Sequence, residues 1–190
     1  ELQSLAATMR ERHMRNLVME VSSHAIALDR VRGSHFAVVG FTNLSQDHLD
    51  FHQDMESYFK AKASLFTLEY ADQAFINIDN DFGLRLFNEC EIPATSLSRN
   101  NPKASWHFTS ITSNSGGTAF TARGAGGILI ESSTPLRGYF NLDNILLVLA
   151  IAIECGIDPL DCAALIPRLK GAPGRMESVD CGQDFTALVD

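Results

Sequence analysis

The sequence has few cysteines, and their positions argue against two kinds of scaffold. Cys90, Cys155, Cys162 and Cys181 form no CxxC pair and have no histidine at zinc-finger spacing. Neither a zinc framework nor a disulfide-stapled fold is therefore expected. We predict buried, reduced thiols of a cytoplasmic protein.

Long hydrophobic runs are also missing. The longest apolar stretch, residues 145–153, is far shorter than the roughly 20 residues that a membrane-spanning helix needs. The N-terminus lacks the basic-then-apolar pattern of a secretory signal. No membrane partner is expected.

Basic charge is scarce as well. The chain has 15 Lys and Arg residues against 23 Asp and Glu residues, which gives a net charge of -8 at pH 7. Binding to nucleic acid or to an anionic membrane needs a basic face. Neither partner is therefore predicted. With 190 residues, of which 45% are hydrophobic, the chain is long enough for one domain with its own core.

The apolar pattern predicts an α/β fold. Near-continuous apolar segments, typical of strands buried on both faces, alternate with segments of helical spacing. The predicted strands are residues 17–21, 36–41 and 74–78, and the predicted helices are residues 2–9, 54–68, 81–90, 142–154 and one that begins at Asp158-Pro159. Short strands between Gly-rich turns over residues 105–131 predict an antiparallel β meander. We expect a mostly parallel sheet covered by helices on both faces, with this meander added.

Two polar clusters follow predicted strands at their carboxyl ends, where open α/β sheets bind ligands. The first cluster consists of Glu20, Ser22, Ser23 and His24. The second consists of Thr42, Asn43, Ser45, Asp47, His48, Asp50 and His52. A carboxylate at the end of a buried strand needs a cation, a metal or hydrogen-bond donors. An ion pair or a frayed strand end explains Glu20 equally well, and a histidine such as His48 is more often structural than a ligand.

One lysine of the following helix has an unusual position. At about 100° per residue, Lys62 falls in the stripe of Met55, Phe59 and Phe66, whereas Lys60 points to solvent. A lysine in an apolar stripe extends its ammonium to water, pairs with a carboxylate, or loses its proton and becomes nucleophilic. The pattern leaves these alternatives open.

Three motifs of catalysis or binding are incomplete. No lysine lies in a GxxxxGK[ST] pattern, so residues 1–190 contain no phosphate loop of that type. His48 and His52 resemble a helical zinc pair, but the glutamate of HExxH is missing. Gly124, Gly126 and Gly127 precede an apolar strand rather than a helix, which predicts a turn.

Five short motifs together resemble the Mur ligase family, in the order in which the family carries them. They are residues 19–25 (Met-Glu-Val-Ser-Ser-His-Ala), residues 42–52 (Thr-Asn-Leu-Ser-Gln-Asp-His-Leu-Asp-Phe-His), Ala61-Lys62, Phe140-Asn141 with Asn144, and residues 174–177 (Gly-Arg-Met-Glu). The match extends over essentially the whole chain. The first two motifs resemble those of the members that add the third amino acid of the peptidoglycan stem peptide.

This resemblance implies an ATP-dependent amide ligase. The carboxylate of UDP-N-acetylmuramoyl-L-alanyl-D-glutamate would be activated as an acyl phosphate, which the amine of an amino acid then attacks. ATP and Mg²⁺ would be required. Residues 1–178 would form the central ATP-binding domain without its phosphate loop, and residues 179–190 the first strand of the C-terminal domain, with a hinge near residues 171–180. The start at Glu1 and the end within an apolar run agree with a fragment that is inactive alone.

The resemblance also assigns roles to individual residues. The magnesium site would comprise Glu20, His48 and Lys62, with Lys62 as the family's carbamylated lysine and with Lys62 and His48 as catalytic residues. The UDP-sugar peptide would contact Ser22 and Arg30. The nucleotide would contact Asn141, Asn144, Arg175 and Asp190. Leu28 stands where many relatives carry Gln, which removes one expected hydrogen bond to the substrate.

Three other hypotheses remain. Within the family, folylpolyglutamate synthetase shares the carbamylated-lysine design, but the Ser22-Ser23-His24 stretch is typical of the muramoyl tripeptide enzymes. A metal-dependent hydrolase would use His48, His52 and Asp50, and a zinc stoichiometry near one would distinguish it. A purely structural or interaction module is the third hypothesis.

Overall fold

A computed structural model describes residues 2–45, 52–114, 116–172, 174, 176–179, 181–185 and 187–189. Its main body is a six-stranded sheet whose strands follow one another in chain order. The strands are β1 (Val39–Phe41), β2 (Ala74–Asn77), β3 (Ala94–Ser98), β4 (Trp106–Asn114), β5 (Gly117–Arg123) and β6 (Leu129–Thr134). A separate antiparallel pair is formed by β7 (Glu177–Val179) and β8 (Ala187–Val189).

The first four strands of the large sheet are parallel. Gly40 of β1 lies opposite Phe75 of β2, and Phe75 lies opposite Thr95 of β3. The strands β4, β5 and β6 pair antiparallel, as a meander. The predicted mostly parallel sheet with an added meander is therefore confirmed, and the carboxyl ends of β1, β2 and β3 share one edge.

Six helices accompany the strands within the described ranges. They are α1 (Leu2–Glu11), α2 (Ser23–Ala27), α3 (Met55–Ala63), α4 (Asp81–Glu89), α5 (Tyr139–Glu154) and α6 (Pro159–Leu165). Four of them begin after a residue whose side-chain oxygen accepts from the first turn: Ser22, Asp54, Asn80 and Asp158. Each such cap contributes about 1 kcal/mol. None of the helices in the described ranges combines the length and apolarity that crossing a bilayer requires.

Two hydrophobic clusters cover opposite faces of the sheet. Phe75 belongs to the cluster that includes α5 and the meander, while its neighbours Ala74 and Ile76 belong to the cluster that includes α3 and α4. Because alternate residues of a strand point to opposite faces, the sheet is covered on both. The strand β2 is buried along its whole length, which explains its unbroken apolar sequence.

The predicted strand at residues 17–21 is wrong. The segment adopts neither helix nor strand, and Val18 is 94% exposed. Met19 and Val21 pack partly against the core, but no described residue pairs with this backbone. An apolar sequence forms a strand only where a neighbouring strand supplies its hydrogen bonds. Glu20 is accordingly exposed rather than buried.

Two smaller predictions also need correction. The helix predicted for residues 54–68 ends at Ala63, because the hydroxyl of Ser64 donates to the Ala61 carbonyl and competes with the helical ladder. All four cysteines are free, as expected, but only Cys162 is buried; Cys155 and Cys181 are exposed. Their burial was wrongly inferred from residue type, since both lie in loops where no core covers them.

Candidate nucleotide groove and lysine site

A polar groove of about 640 Å³ lies at the carboxyl edge of β1 and β2. Its described lining residues are Thr42, Asn43, Asn77, Asp79, Asn80, Phe140, Asn141, Asp143, Asn144, Gly171 and Ala172. The groove therefore joins the start of the second predicted cluster, Thr42 and Asn43, to two of the predicted nucleotide residues, Asn141 and Asn144. It occupies the edge at which ligands of open α/β sheets bind.

The wall between β2 and α4 is held rigid by its own polar side chains. Asn77 Oδ1 accepts from the Asp79 amide at 2.8 Å, and Asn80 Oδ1 caps α4 by accepting from the Gly83 amide at 2.8 Å. The carboxylate of Asp79 accepts from the Ser98 hydroxyl and from the Arg99 amide. These bonds fix the loop in one conformation without a ligand.

An ion pair joins this wall to α5. Arg99 Nε donates to Asp143 Oδ1 at 2.9 Å, and the guanidinium lies 4.7 Å from the ring centroid of Tyr139. Burial raises the pKa of Asp143, and Asp79 adds to this rise, while the bond from Arg99 opposes it. The pair thus connects the residue after β3 to the second turn of α5.

The other wall is the N-terminal turn of α5. Asn141 Nδ2 donates to the Arg137 carbonyl at 2.7 Å, which fixes the amide and leaves its carbonyl oxygen as an acceptor for a ligand. Asn144 follows one turn later and is exposed. None of the described lining residues is a lysine or an arginine. Amide donors and acceptors without a cation suit an uncharged heterocycle with hydroxyl groups better than they suit a phosphate.

A second polar region lies where α2 packs against α3. Ser22 caps α2 by accepting from the Ala25 amide at 3.1 Å. Ser23 is 1% exposed, and its Oγ lies 2.8 Å from Nε2 of the buried His52. The two predicted clusters are thereby in direct contact, although the first of them follows an irregular segment rather than a strand.

Lys62 lies on the same side of α3. Its Nζ is 5.5 Å from the ring centroid of Tyr58, and the ring of His52 stacks on Tyr58 at 4.9 Å. Lys62 is half-buried, whereas the side chain of Lys60 is 70% exposed and pairs with Glu56 at 3.5 Å. The predicted contrast between the two lysines is confirmed.

The remaining predicted site residues are placed as follows. Glu20 and Arg30 are exposed and flank α2. His48, Arg175 and Asp190 lie outside the described residues, as do Asp47 and Asp50 of the second cluster. Among the described residues, no three His, Cys, Asp or Glu side chains are grouped closely enough to hold a metal ion.

Sequence reasoning missed the acidic half of the groove. Asn77 lies at the end of the predicted strand 74–78 and Asp79 and Asn80 follow it directly, so the rule that selected the first two clusters also identifies a third. Arg99 and Asp143 carried no such signal. They are 44 positions apart, and only the fold brings them together.

Comparison with known proteins identifies relatives of this architecture. A sequence model described as the Mur ligase middle domain matches residues 1–152. The UDP-N-acetylmuramoyl-L-alanyl-D-glutamate--2,6-diaminopimelate ligase of Streptomyces coelicolor is 40% identical over 100% of this chain and 38% of its own length. The UDP-N-acetylmuramyl-tripeptide synthetase of Leifsonia xyli is 37% identical, over the same shares of both chains. This chain thus spans 38% of the length of these two relatives.

A solved structure agrees with the sequence relatives. It is that of a UDP-N-acetylmuramoyl-L-alanyl-D-glutamate--2,6-diaminopimelate ligase, which superimposes with a TM-score of 0.77 at 28% identity. The alignment covers 85% of this chain and 34% of that one.

Proposed function

The chain belongs to the Mur ligase family, and from this premise we propose that the protein adds the third amino acid to UDP-N-acetylmuramoyl-L-alanyl-D-glutamate in peptidoglycan synthesis. The observation that carries the proposal is 40% identity, along the whole chain, to a ligase named for that reaction. The chain spans 38% of that relative, so the activity is proposed for the whole protein. Its compartment would be the cytoplasm, in keeping with four free cysteines.

In this proposal, residues 1–178 form the central ATP-binding domain and residues 179–190 begin the next domain. The large sheet and its helices end before the Gly171-Ala172 stretch, whereas β7, which spans the proposed boundary at residue 178, pairs with β8. A hinge near residues 171–180 would let the two domains close on the substrates.

The groove would hold the adenosine part of ATP. Asn141 and Asn144 would contact the nucleotide from α5, and Arg175 and Asp190 would approach from the segment that follows residue 172. The two groove carboxylates, Asp79 and Asp143, repel phosphate at close range. The phosphates would therefore extend away from this wall, towards a phosphate loop supplied by another part of the protein.

The UDP-sugar peptide would bind beside α2. Ser22 Oγ already accepts from the Ala25 amide, so its hydroxyl hydrogen would donate to a substrate oxygen. Arg30 follows α2 and is exposed, which suits contact with an anionic substrate. Leu28, 51% exposed, offers no polar group there.

Mg²⁺ fits the proposed donors in chemistry. Glu20 supplies a carboxylate, and carbamylated Lys62 would supply two further oxygens, which are the ligands that Mg²⁺ prefers. His48 would complete the set. When bound, Mg²⁺ would neutralise charge on the transferring phosphoryl group. The carbamate would form when the neutral Lys62 amine attacks carbon dioxide and releases one proton.

The reaction itself would proceed in two steps. The substrate carboxylate attacks the γ-phosphorus of ATP, which forms an acyl phosphate and releases ADP. The amine of the incoming amino acid then attacks the acyl carbon, loses a proton and expels phosphate, which leaves an amide. In such a transfer the protein contributes mainly alignment and charge stabilisation.

A metal-dependent hydrolase is less favoured by the contacts of His52. Its Nε2 bonds to Ser23 and its ring stacks on Tyr58. A zinc pair of His48 and His52 would have to give up the bond to Ser23 or bind through the other ring nitrogen.

The full-length enzyme tests the reaction directly. Purified protein is incubated with ATP, Mg²⁺, the UDP-dipeptide and either meso-diaminopimelate or lysine, and the tripeptide product is measured by mass spectrometry. Steady-state ADP release over many turnovers should depend on all four components. If no amide forms with any amino acid that occurs at the third position, the proposed function is wrong.

Lys62→Ala tests the carbamate. It should lower kcat by at least 100-fold, because a transition-state ligand set is lost, and short carboxylates such as acetate should partly restore it. Lys60→Ala is the matched control on the same helix and should stay within about twofold of wild type, since exposed ion pairs contribute little. Labelled bicarbonate should give a carbamate ¹³C signal in wild type and in Lys60→Ala but not in Lys62→Ala. An active wild type without this signal would contradict the carbamate.

A further inference from the structure

His52 connects two helices that the proposed function uses for different substrates. It is 6% exposed, and its Nε2 lies 2.8 Å from the Oγ of Ser23, the first residue of α2. Its ring also stacks on Tyr58 of α3, with a ring separation of 4.9 Å and an angle of 16° between the planes. One buried imidazole therefore contacts both helices.

A tight turn of the backbone next to His52 directs its side chain towards Tyr58. Gln53 has a φ of +63°, which is unfavourable for a residue with a side chain. The turn returns the chain, so that the Asp54 amide donates to the His52 carbonyl at 2.7 Å. Asp54 then caps α3 by accepting from the Ser57 amide at 2.7 Å. As a result, His52 folds back over the first turn of α3 and meets Tyr58, as a residue ahead of a helix does in a hydrophobic staple.

The contacts of His52 with Ser23 and Tyr58 lead to residues with proposed roles, and its ring also lies edge-on to that of His24, with the centroids 5.7 Å apart. Ser23 is adjacent to Ser22, the proposed contact of the UDP-sugar peptide. Tyr58 lies one turn before Lys62, whose Nζ is 5.5 Å from its ring centroid. The three middle members of this chain of contacts, Ser23, His52 and Tyr58, are buried, whereas Ser22 is exposed and Lys62 is half-buried.

We propose that His52 is a positioning residue, which holds Lys62 in fixed relation to the substrate-binding end of α2 through Tyr58 and Ser23. This inference rests on the proposed function. Its physical basis is that phosphoryl transfer to a bound carboxylate depends on alignment of groups from different elements, where a displacement of about 1 Å costs roughly 100-fold in rate. In this proposal His52 acts through Ser23 and Tyr58 rather than on the substrates.

Two variants of the full-length enzyme separate the two contacts. His52→Phe retains an aromatic ring against Tyr58 but loses the bond to Ser23, and His52→Gln retains a polar group for Ser23 but loses the stack. We expect His52→Phe to lower kcat by about 10- to 100-fold and to change the KM of the UDP-dipeptide by less than about threefold, the pattern of lost alignment. His52→Gln, which keeps a polar group for Ser23, should lower kcat less than His52→Phe, and a larger loss in His52→Gln would contradict the role of the bond to Ser23.

A double-mutant cycle distinguishes positioning from a general structural role. In a Lys62→Ala background, His52→Phe should cost less than about threefold, because the residue acts through Lys62. Equal losses in both backgrounds would overturn the proposal. So would an unchanged kcat in His52→Phe when the wild type is active. The exposed His35→Phe is the control and should leave kcat unchanged.

A variant that fails to fold can be distinguished from a failure of the proposal. If His52→Phe does not fold by circular dichroism, Ser23→Ala removes the same hydrogen bond with a smaller change. Ser23→Ala should also lower kcat. An unchanged kcat in this variant would overturn the proposal. A wild-type enzyme without ligase activity would contradict the proposed function and, with it, this inference.

Discussion

Replacing Gly83 by alanine should destabilise the protein, although the same change stabilises most helices. Gly83 is a buried residue in the first turn of α4. A Cβ added there would lie 1.9 Å from the carbonyl oxygen of Asn77, the last residue of β2. Ordinary contact begins at 3.4 Å, so the helix and the strand end would have to separate by about 1.5 Å.

Two opposing effects set the size of this loss. Alanine is better than glycine in a helix by about 0.5–1 kcal/mol. Overpacking of a filled interior costs about 1–3 kcal/mol, and here the obstacle is backbone that no rotamer change can move. Because the obstacle is backbone, the cost should lie at about 2–3 kcal/mol, and the net loss should be about 1–2.5 kcal/mol, a fall of roughly 2–10 °C in Tm for a chain of this size.

Urea unfolding followed by far-UV circular dichroism measures this change. Asn88→Ala is the matched control, because Asn88 is exposed in the same helix. It should be neutral or stabilising by a few tenths of a kcal/mol. A rise of the urea midpoint in Gly83→Ala, similar to that of the control, would refute the close approach of α4 to Asn77. The urea m-value should not change if the folded state stays compact.

Two further predictions concern the pH dependence of stability. Arg99→Ala should cost about 1–2 kcal/mol at pH 7, because Asp143 keeps its partly buried charge without its partner. Burial already raises the pKa of Asp143, so its carboxyl stays protonated to a higher pH in the folded state than in the unfolded state. Stability therefore falls as pH rises through the pKa of the folded state. In Arg99→Ala this fall in stability should extend to higher pH. Adding Asp143→Asn to Arg99→Ala should abolish the fall. Urea midpoints measured between pH 4 and 8 test both expectations. His35 donates to the Asp72 carboxylate and to the Glu69 carbonyl, and these bonds favour the protonated ring and raise its pKa. The contribution of His35 to stability is complete below its ordinary pKa of 6.5 and is lost as pH rises through the raised pKa of the folded state. Between pH 5.5 and 8.5, Tm should therefore fall less in His35→Gln than in wild type. An equal fall in both proteins would contradict this role of His35.

The sequence predicted those parts of the fold that local chemistry determines. The helices predicted to begin at residue 81 and at Asp158-Pro159 begin there, each directly after a residue whose side chain caps it. The strand β2 is apolar throughout because it is covered on both faces. Such signals come from each segment alone, so they can be identified without the rest of the molecule.

The strand β3 escaped prediction because its sequence is polar. It reads Ala-Thr-Ser-Leu-Ser, yet Ser96 and Ser98 are buried. The Ser105 amide donates to Ser96 Oγ, and the Ser98 hydroxyl donates to Asp79. Burial of these hydroxyls is favourable only because partners elsewhere in the chain satisfy them. No pattern within residues 94–98 contains that information.

The reverse error occurred at residues 17–21. There the residue types favour a strand, but Leu17 and Val18 remain exposed, since pairing depends on a neighbour rather than on propensity. The same distinction applies to the site. Lys62 was identified from the periodicity of its own helix, whereas the contact between Ser23 and His52 joins residues 29 positions apart.

The charges of the groove indicate which parts of a nucleotide its residues can bind. The chain is acidic overall, with a net charge of -8, and Asp79 and Asp143 both line the groove. Arg99 forms an ion pair with Asp143 and stacks on Tyr139, so its charge is committed to the protein. A triphosphate approaching this wall would meet net repulsion. In the proposed enzyme, the described groove residues would therefore contribute shape and hydrogen bonds for the base and the ribose. Neutralisation of the phosphates would have to come from Mg²⁺ and from basic groups outside the groove.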